Sequence, residues 1–279
     1  MHLLRLFTTI TFLIVFSLQS AAQGKIDQSK EELNKRNKTV KGSQSDQSVH
    51  SYKSDEQKSF GEIMFQGVAT GLAYLTWYST IGVYKLEDHL HSNLTKYPYY
   101  NNQSGNYEST DSVYNSKLHF RFDLDYHFLY SNKNLIGNYF KCNIRPFQYF
   151  YLQGQYHRLT EHNTDHTYSN LSLFNAYFCY DRLRFERFNV GWKAGLCYIA
   201  DNINRGGFSF GLDGEAFLIK PVSVYISKQW GAINTKPVNQ FEVTGKLHLK
   251  RYNIHLGYEH LKIASPVYDY VLAGAGVRL

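Results

Sequence analysis

The chain has 279 residues, is 16% aromatic with 24 Tyr, and carries a formal net charge of +7. Its mean hydropathy is −0.42, so bulk hydropathy gives no membrane signal, yet a chain this aromatic and this polar suits sheets whose apolar face is diluted by a polar one. Part of the positive excess lies in a polar leader and in turns, not on one basic face, which excludes nucleic acid as the natural partner.

In chain order, residues 1–22 have the build of a secretory signal peptide. His2 and Arg5 precede an apolar stretch from Leu6 to Leu18, and the small residues Ser20 and Ala22 place cleavage before Gln23. The stretch falls short of the roughly 20 apolar residues that a permanent transmembrane anchor needs, and no cysteine follows it for a lipid anchor. Residues 23–59 are rich in Lys, Glu, Gln, Ser and Asn, with Tyr52 the one aromatic. They read as a disordered polar leader, because so little apolar surface cannot offset the entropy of ordering.

Over 60–84 the charges stop after Glu62, and Phe65, Val68, Leu72, Leu75 and Tyr78 follow a three-to-four spacing. The spacing predicts an apolar helix, with a strand pair as the alternative. Residues 85–116 are polar and tyrosine-rich, and Tyr97-Pro98-Tyr99-Tyr100 marks an extended break, so this stretch reads as a connector.

From 117 onward the period changes to two. Leu118, Phe120, Phe122, Leu124, Tyr126 and Phe128 alternate with His119, Arg121, Asp123, Asp125 and His127. Further on, Phe241, Val243, Gly245, Leu247 and Leu249 alternate with Gln240, Glu242, Thr244, Lys246, His248 and Lys250. About ten such segments are predicted, at 117–130, 134–144, 147–157, 168–178, 185–200, 207–219, 221–231, 238–250, 252–264 and 267–279. A secreted soluble β-sandwich would turn the apolar face to a core, whereas a membrane barrel turns it to lipid and the charged face to a lumen. Tight connections near Pro146, Asp181, Lys220 and Lys250 alternate with longer polar ones at 158–167, 201–205 and 232–237, the asymmetry of a barrel. The expected fold is an all-β membrane protein, an antiparallel up-and-down transmembrane β-barrel over 117–279 of about 10 strands, or 12 if 60–84 is a strand pair.

These segments resemble Gram-negative outer-membrane β-barrel proteins, in particular small tyrosine-rich ones. The closing strand sets Val271, Ala273, Ala275, Val277 and Leu279 on one face, as assembly signals in that family do, although it ends in Leu279 where an aromatic residue is usual. The resemblance implies an outer-membrane location, with outer-membrane lipids and the barrel-assembly machinery as partners and no nucleic acid.

The charged faces supply the candidate site. His119, Arg121, Asp123, Asp125, His127, Lys193, Asp213, Glu215, Glu242, Lys246, His248, His255, Glu259 and Arg278 are predicted to line the lumen as a network of both signs. It forms a conduit or ligand pocket on one reading, and a salt-bridged plug on the other, preferred because enclosed charges must be paired whether or not anything passes. Arg182, Arg184 and Arg187 read as solvated turn charges.

Catalysis is tested by a His and a Ser two apart on a strand, which would let imidazole deprotonate hydroxyl. No His-x-Ser occurs, and His260 has Lys262 at the partner position. His162, Asp165 and His166 are too loosely spaced for a metal site, and no cofactor is expected. Cys142, Cys179 and Cys197 form no CxxC and read as small strand fillers. The functional expectation is a non-enzymatic outer-membrane barrel acting as scaffold, small porin-like channel or surface-binding protein, the alternative being an outer-membrane lipid hydrolase.

Overall fold

A computed structural model describes residues 24–35, 77–78, 80–83, 85–100, 103–109, 120–163 and 165–279. The signal peptide expected at 1–22 lies outside them, as does most of the apolar segment at 60–84. Two short strands come first, Asn93–Leu94 (β1) and Tyr107–Glu108 (β2). Ten long ones follow: Arg121–Asn132 (β3), Leu135–Arg145 (β4), Phe150–His162 (β5), Tyr168–Arg184 (β6), Phe188–Ile199 (β7), Arg205–Ile219 (β8), Val222–Ile233 (β9), Lys236–Leu249 (β10), Tyr252–Ile263 (β11) and Val267–Arg278 (β12). Each of these pairs antiparallel with its neighbours in sequence, and β12 returns to β3 from Val271↔Tyr130 to Arg278↔Asp123. The fold is therefore a closed antiparallel barrel of ten strands, not a sandwich.

Alternation gives the barrel an inverted distribution of polarity. On β3 the outward Leu124, Tyr126, Phe128 and Tyr130 are 39–48% exposed, whereas Arg121, Asp123, Asp125 and His127 face inward at no more than 3%. Aromatic rings continue this outer face across strands, with Tyr126 and Phe140 at 4.8 Å and Tyr156 and Phe174 at 4.6 Å between centroids. Among the described residues no helix is long and apolar enough to cross a membrane.

The inward face has two zones. Charges occupy it from the rim that carries Leu279 (the C-terminal rim) to mid-height, but at the far rim Leu129, Leu135, Leu159, Leu171, Ile233 and Leu261 form one buried apolar cluster. That ring of leucine and isoleucine is filled by an element the polar composition of 23–59 hides. Helix Lys25–Asn34 (α1) buries Ile26, Ser29 and Leu33, one face at three-to-four spacing, with Ile26 and Leu33 inside the same cluster. The barrel supplies its caps. Glu161 accepts the N–H groups of Lys25 (3.2 Å) and Ile26 (2.8 Å), a carboxylate at the positive helix end, and Asn234 donates to the Leu33 carbonyl at 2.8 Å. Ser29 Oγ lies 2.7 Å from the Tyr268 hydroxyl. The leader expectation is thus corrected over 24–35: tertiary burial of two side chains, with caps from the barrel, orders a segment whose own composition does not.

The connector expectation also changes. A 3-10 turn at Asp88–His91 and the β1–β2 pair lie against the C-terminal rim, with Leu90, Leu94 and Tyr107 buried. Thr95 and Glu108 are buried as well. The longer loops predicted at 158–167 and 232–237 are mostly strand. β5 runs to His162, and β9 and β10 meet at Asn234 and Thr235, whose φ values of 50° and 64° make a tight hairpin turn.

Seating of α1 is testable. Leu33→Asp removes the burial of a full leucine, about 1.5–3 kcal/mol, and should let trypsin cleave at Lys30 and Lys35 in the folded barrel, sites that resist in the unmodified protein. Equal resistance in both proteins would refute the docking of α1.

Candidate functional site

The inward face of β3 to β12 brings together the predicted charges. His119 lies outside the described residues; all the others face inward and are no more than 8% exposed. At the β12–β3 seam Arg278 meets Asp125 at 2.7 Å, and Arg121 meets Asp123 at 2.9 Å. Close approach of the strands is required here, since a Cβ on Gly276 would fall 1.9 Å from Asp125 Oδ1. Lys246 lies 3.5 Å from Glu215, and His127 Nε2 is 2.6 Å from His255 Nδ1. Lys193 and Asp213 are not brought together as an ion pair. Lys193 donates to Ser227 (3.0 Å) and Gln153 (3.2 Å), while Asp213 accepts from the hydroxyls of Tyr225 (3.4 Å) and Tyr151 (3.5 Å).

Several members are absent from the predicted network. Lys141 on β4 donates to both oxygens of Glu242 on β10, at 3.0 and 2.8 Å, across the lumen. His157 on β5 lies 3.0 Å from Glu259 on β11, and its Nε2 is 3.3 Å from Gln240 Nε2. Since β5 and β10 stand opposite each other in the ten-strand circle, that last contact spans the full width. Lys141 shares a face with Tyr139, against Phe140, Cys142 and Ile144, so alternation alone could have placed it. Arg145 and Asp181 lie near predicted turns; β4 runs to Arg145 and β6 extends past Asp181, and the two pair at 2.8 Å. Arg184, expected as a solvated turn charge, is fully buried, with its guanidinium 3.7 Å over the Tyr149 ring and a hydrogen bond to the Leu90 carbonyl.

Both rims are covered by the chain itself. α1 fills the far one. At the C-terminal rim Tyr107 donates to Asp181 at 2.5 Å, Arg121 donates to the Thr95 carbonyl at 3.2 Å, and Asn106 donates to Glu215 at 3.2 Å.

The arrangement makes one serine–histidine contact that no short motif reveals, because its members come from different strands. Ser223 Oγ lies 2.7 Å from His248 Nε2 and donates to Glu215 at 2.6 Å. The serine proton goes to the carboxylate, His248 Nδ1 has no hydrogen-bond partner, and both side chains are at most 4% exposed. A nucleophile needs its proton on the histidine and a path to substrate, so this contact is structural. His260 meets Asp269 at 2.7 Å on the outer face, and no serine is bonded to it among the described residues. Those residues contain no group of three or more His, Cys, Asp or Glu able to hold a metal ion. All three cysteines are free thiols.

No protein-family model matches the chain, and no curated protein matches it. Among solved structures it is similar to an outer membrane channel from Pseudomonas putida F1, at 9% identity and a TM-score of 0.34, over 62% of this chain and 100% of that one. It is also similar to Ail, the attachment invasion locus protein of Yersinia pestis, at 13% identity and a TM-score of 0.29, over 57% of this chain and 97% of that one.

Two outcomes test the site. Lys141→Met leaves Glu242 enclosed without its cation and should cost about 3–5 kcal/mol in chemical unfolding, most of which Lys141→Met with Glu242→Gln should recover; an unchanged midpoint would mean that water reaches Glu242. Under the C-terminal rim, Glu87 accepts the Val83 N–H (2.8 Å) and pairs with Arg182 (2.9 Å). The Val83 hydrogen bond and Arg182 hold its carboxyl below the usual range, and burial lowers the His89 imidazole beside it. Both folded values lie below their unfolded ones, so the contribution is complete at neutral pH and is lost as pH falls, first through His89 below about 6.5. Amide exchange in 85–92 should therefore accelerate between pH 7 and pH 5, relative to intrinsic rates, while the barrel strands stay protected. Acceleration on going above pH 7 instead would reverse the assignment.

Proposed function

We propose that the protein is a non-enzymatic outer-membrane β-barrel with a closed lumen, a scaffold or surface-binding protein and not a small channel. The observation that carries this reading is contact between opposite walls, Gln240 with His157 and Lys141 with Glu242, together with the chain segments on both rims. A ten-stranded barrel is wide enough for side chains and little more, and here side chains meet in the middle. The outward belt of Leu, Ile, Phe, Tyr and Trp supports a lipid surround, because water disfavours so large a continuous apolar face. Export through a signal peptide at 1–22 and insertion by the barrel-assembly machinery belong to the same reading. So does orientation, with the C-terminal rim, where β3 begins and β12 ends, toward the periplasm and the far rim with α1 outside.

Protein refolded into planar bilayers should give no stepwise conductance, and after membrane flotation it should migrate differently before and after boiling, as closed barrels resist unfolding. Steady ohmic steps from the unmodified protein would overturn the closed lumen. Recovery of the bulk as soluble protein without detergent would overturn the membrane placement.

A further inference from the structure

We propose that the outer face of β9–β11 beneath the far rim binds a phosphorylated, acylated glycolipid of the surrounding leaflet, an inference that rests on the membrane reading above. The register places Lys228, Phe241, His260 and Asp269 side by side on four consecutive strands. One step nearer the rim stand Trp230, Asn239 and Lys262. With strands about 4.8 Å apart, Lys228 and His260 flank Phe241 at about 10 Å, and Lys262 stands about 7 Å further along β11.

Charges on a lipid-facing strand face are costly, and elsewhere this outer surface neutralises them. Arg158 pairs with Asp201 at 3.0 Å and Arg182 with Glu87 at 2.9 Å. Lys228 and Lys262 have no carboxylate partner among the described residues, and the Lys228 ammonium rests 5.8 Å over the Phe241 ring. The one nearby acid is already occupied: Asp269 accepts from the Tyr258 hydroxyl at 2.5 Å and holds His260 Nδ1 at 2.7 Å. That contact fixes the ring and leaves its Nε2 edge without a protein partner, between two free ammonium groups. Two ammonium groups, with an imidazole beside them whose Nε2 donates once the ring is protonated against Asp269, give a cluster of net positive charge in an apolar wall that fits a phosphate.

The surroundings favour a glycolipid over a plain phospholipid. Ile226, 48% exposed, and Val243 offer an acyl-facing floor below the cluster, while Trp230, 43% exposed, and Asn239 offer a flat ring and an amide at the height of a sugar headgroup.

The test uses full-length protein in detergent, first checked by flotation with liposomes, and titrates bis-phosphorylated lipid A, its dephosphorylated form and phosphatidylglycerol, read by native mass spectrometry. Bis-phosphorylated lipid A should bind about 10-fold more tightly than either competitor, and Lys228→Gln with Lys262→Gln should abolish the preference, each lysine contributing several-fold near a lipid surface. Lys220→Gln with Lys250→Gln, at the opposite rim, should leave it intact. Equal binding of the two lipid A forms, or a preference that survives loss of Lys228 and Lys262, overturns the phosphate site. Equal binding of phosphatidylglycerol overturns the glycolipid assignment. Protein that fails to float refutes the membrane reading itself, whereas protein that floats without preference refutes this inference alone.

Discussion

A circle of ten strands encloses a bore about as wide as two facing side chains, and that dimension governs what the inward residues can be. Closure through the β12–β3 seam brings every wall within reach of another, so a charge placed on one inward face meets its partner on a second strand or on the far side. Lys141 with Glu242 is the pair that spans, and Arg278 with Asp125 is the pair that pins the seam. Such pairs contribute little net stability against an apolar filling of equal volume, but removing one partner is costly. The lumen is thereby specified as a set: its members are tolerable together and poor singly.

The outer face follows from the same closure. With the ten strands paired in a closed circle no open sheet edge remains, so the apolar belt can meet a hydrocarbon environment without presenting an unpaired ladder. Polar side chains on that belt then stand out as exceptions. Arg158 and Arg182 are neutralised by Asp201 and Glu87, whereas beside the His260–Asp269 pair Lys228 and Lys262 keep their charge.

Much of this was legible from period alone. Alternation located all ten strands, the end of β6 missing by six residues, and put Asp123, Asp125, Glu242 and Lys246 opposite the apolar face, which is the inner face once the apolar one is turned to lipid. What alternation cannot supply is the partner across the lumen, since register and shear depend on long-range closure; hence His157 with Glu259 was out of reach. The strand ends were underestimated for a second reason. Arg145, Asp181 and Arg184 look like turn residues by charge, yet pairing extends as far as Arg145 and Arg184, because aromatic rings and carbonyls under the rim receive the guanidinium groups and Tyr107 and Arg145 satisfy the Asp181 carboxylate. The helix α1 was hidden by composition, but its seat was not: Leu129 after His127, and Leu261 and Ile263 after Glu259, show the inner face changing from ionic to apolar near the far rim. An apolar ring inside a bore requires an apolar filling, and Ile26 with Leu33 supplies it.

The seat of α1 also fixes an order of events. The helix lies early in the chain, yet the groups that hold it come from 135 to 243 residues away, in β5, at the β11–β12 connection and on Tyr268. Its ten residues are too short to persist as a helix alone. The rim that receives it exists only after the last strand has joined the first, so this early segment of the chain is among the last to acquire structure. Loop closure of that length is entropically expensive and is rewarded only by a completed barrel. Ordering of α1 is consequently a report on the finished state, a kinetic marker that the circle of strands has closed.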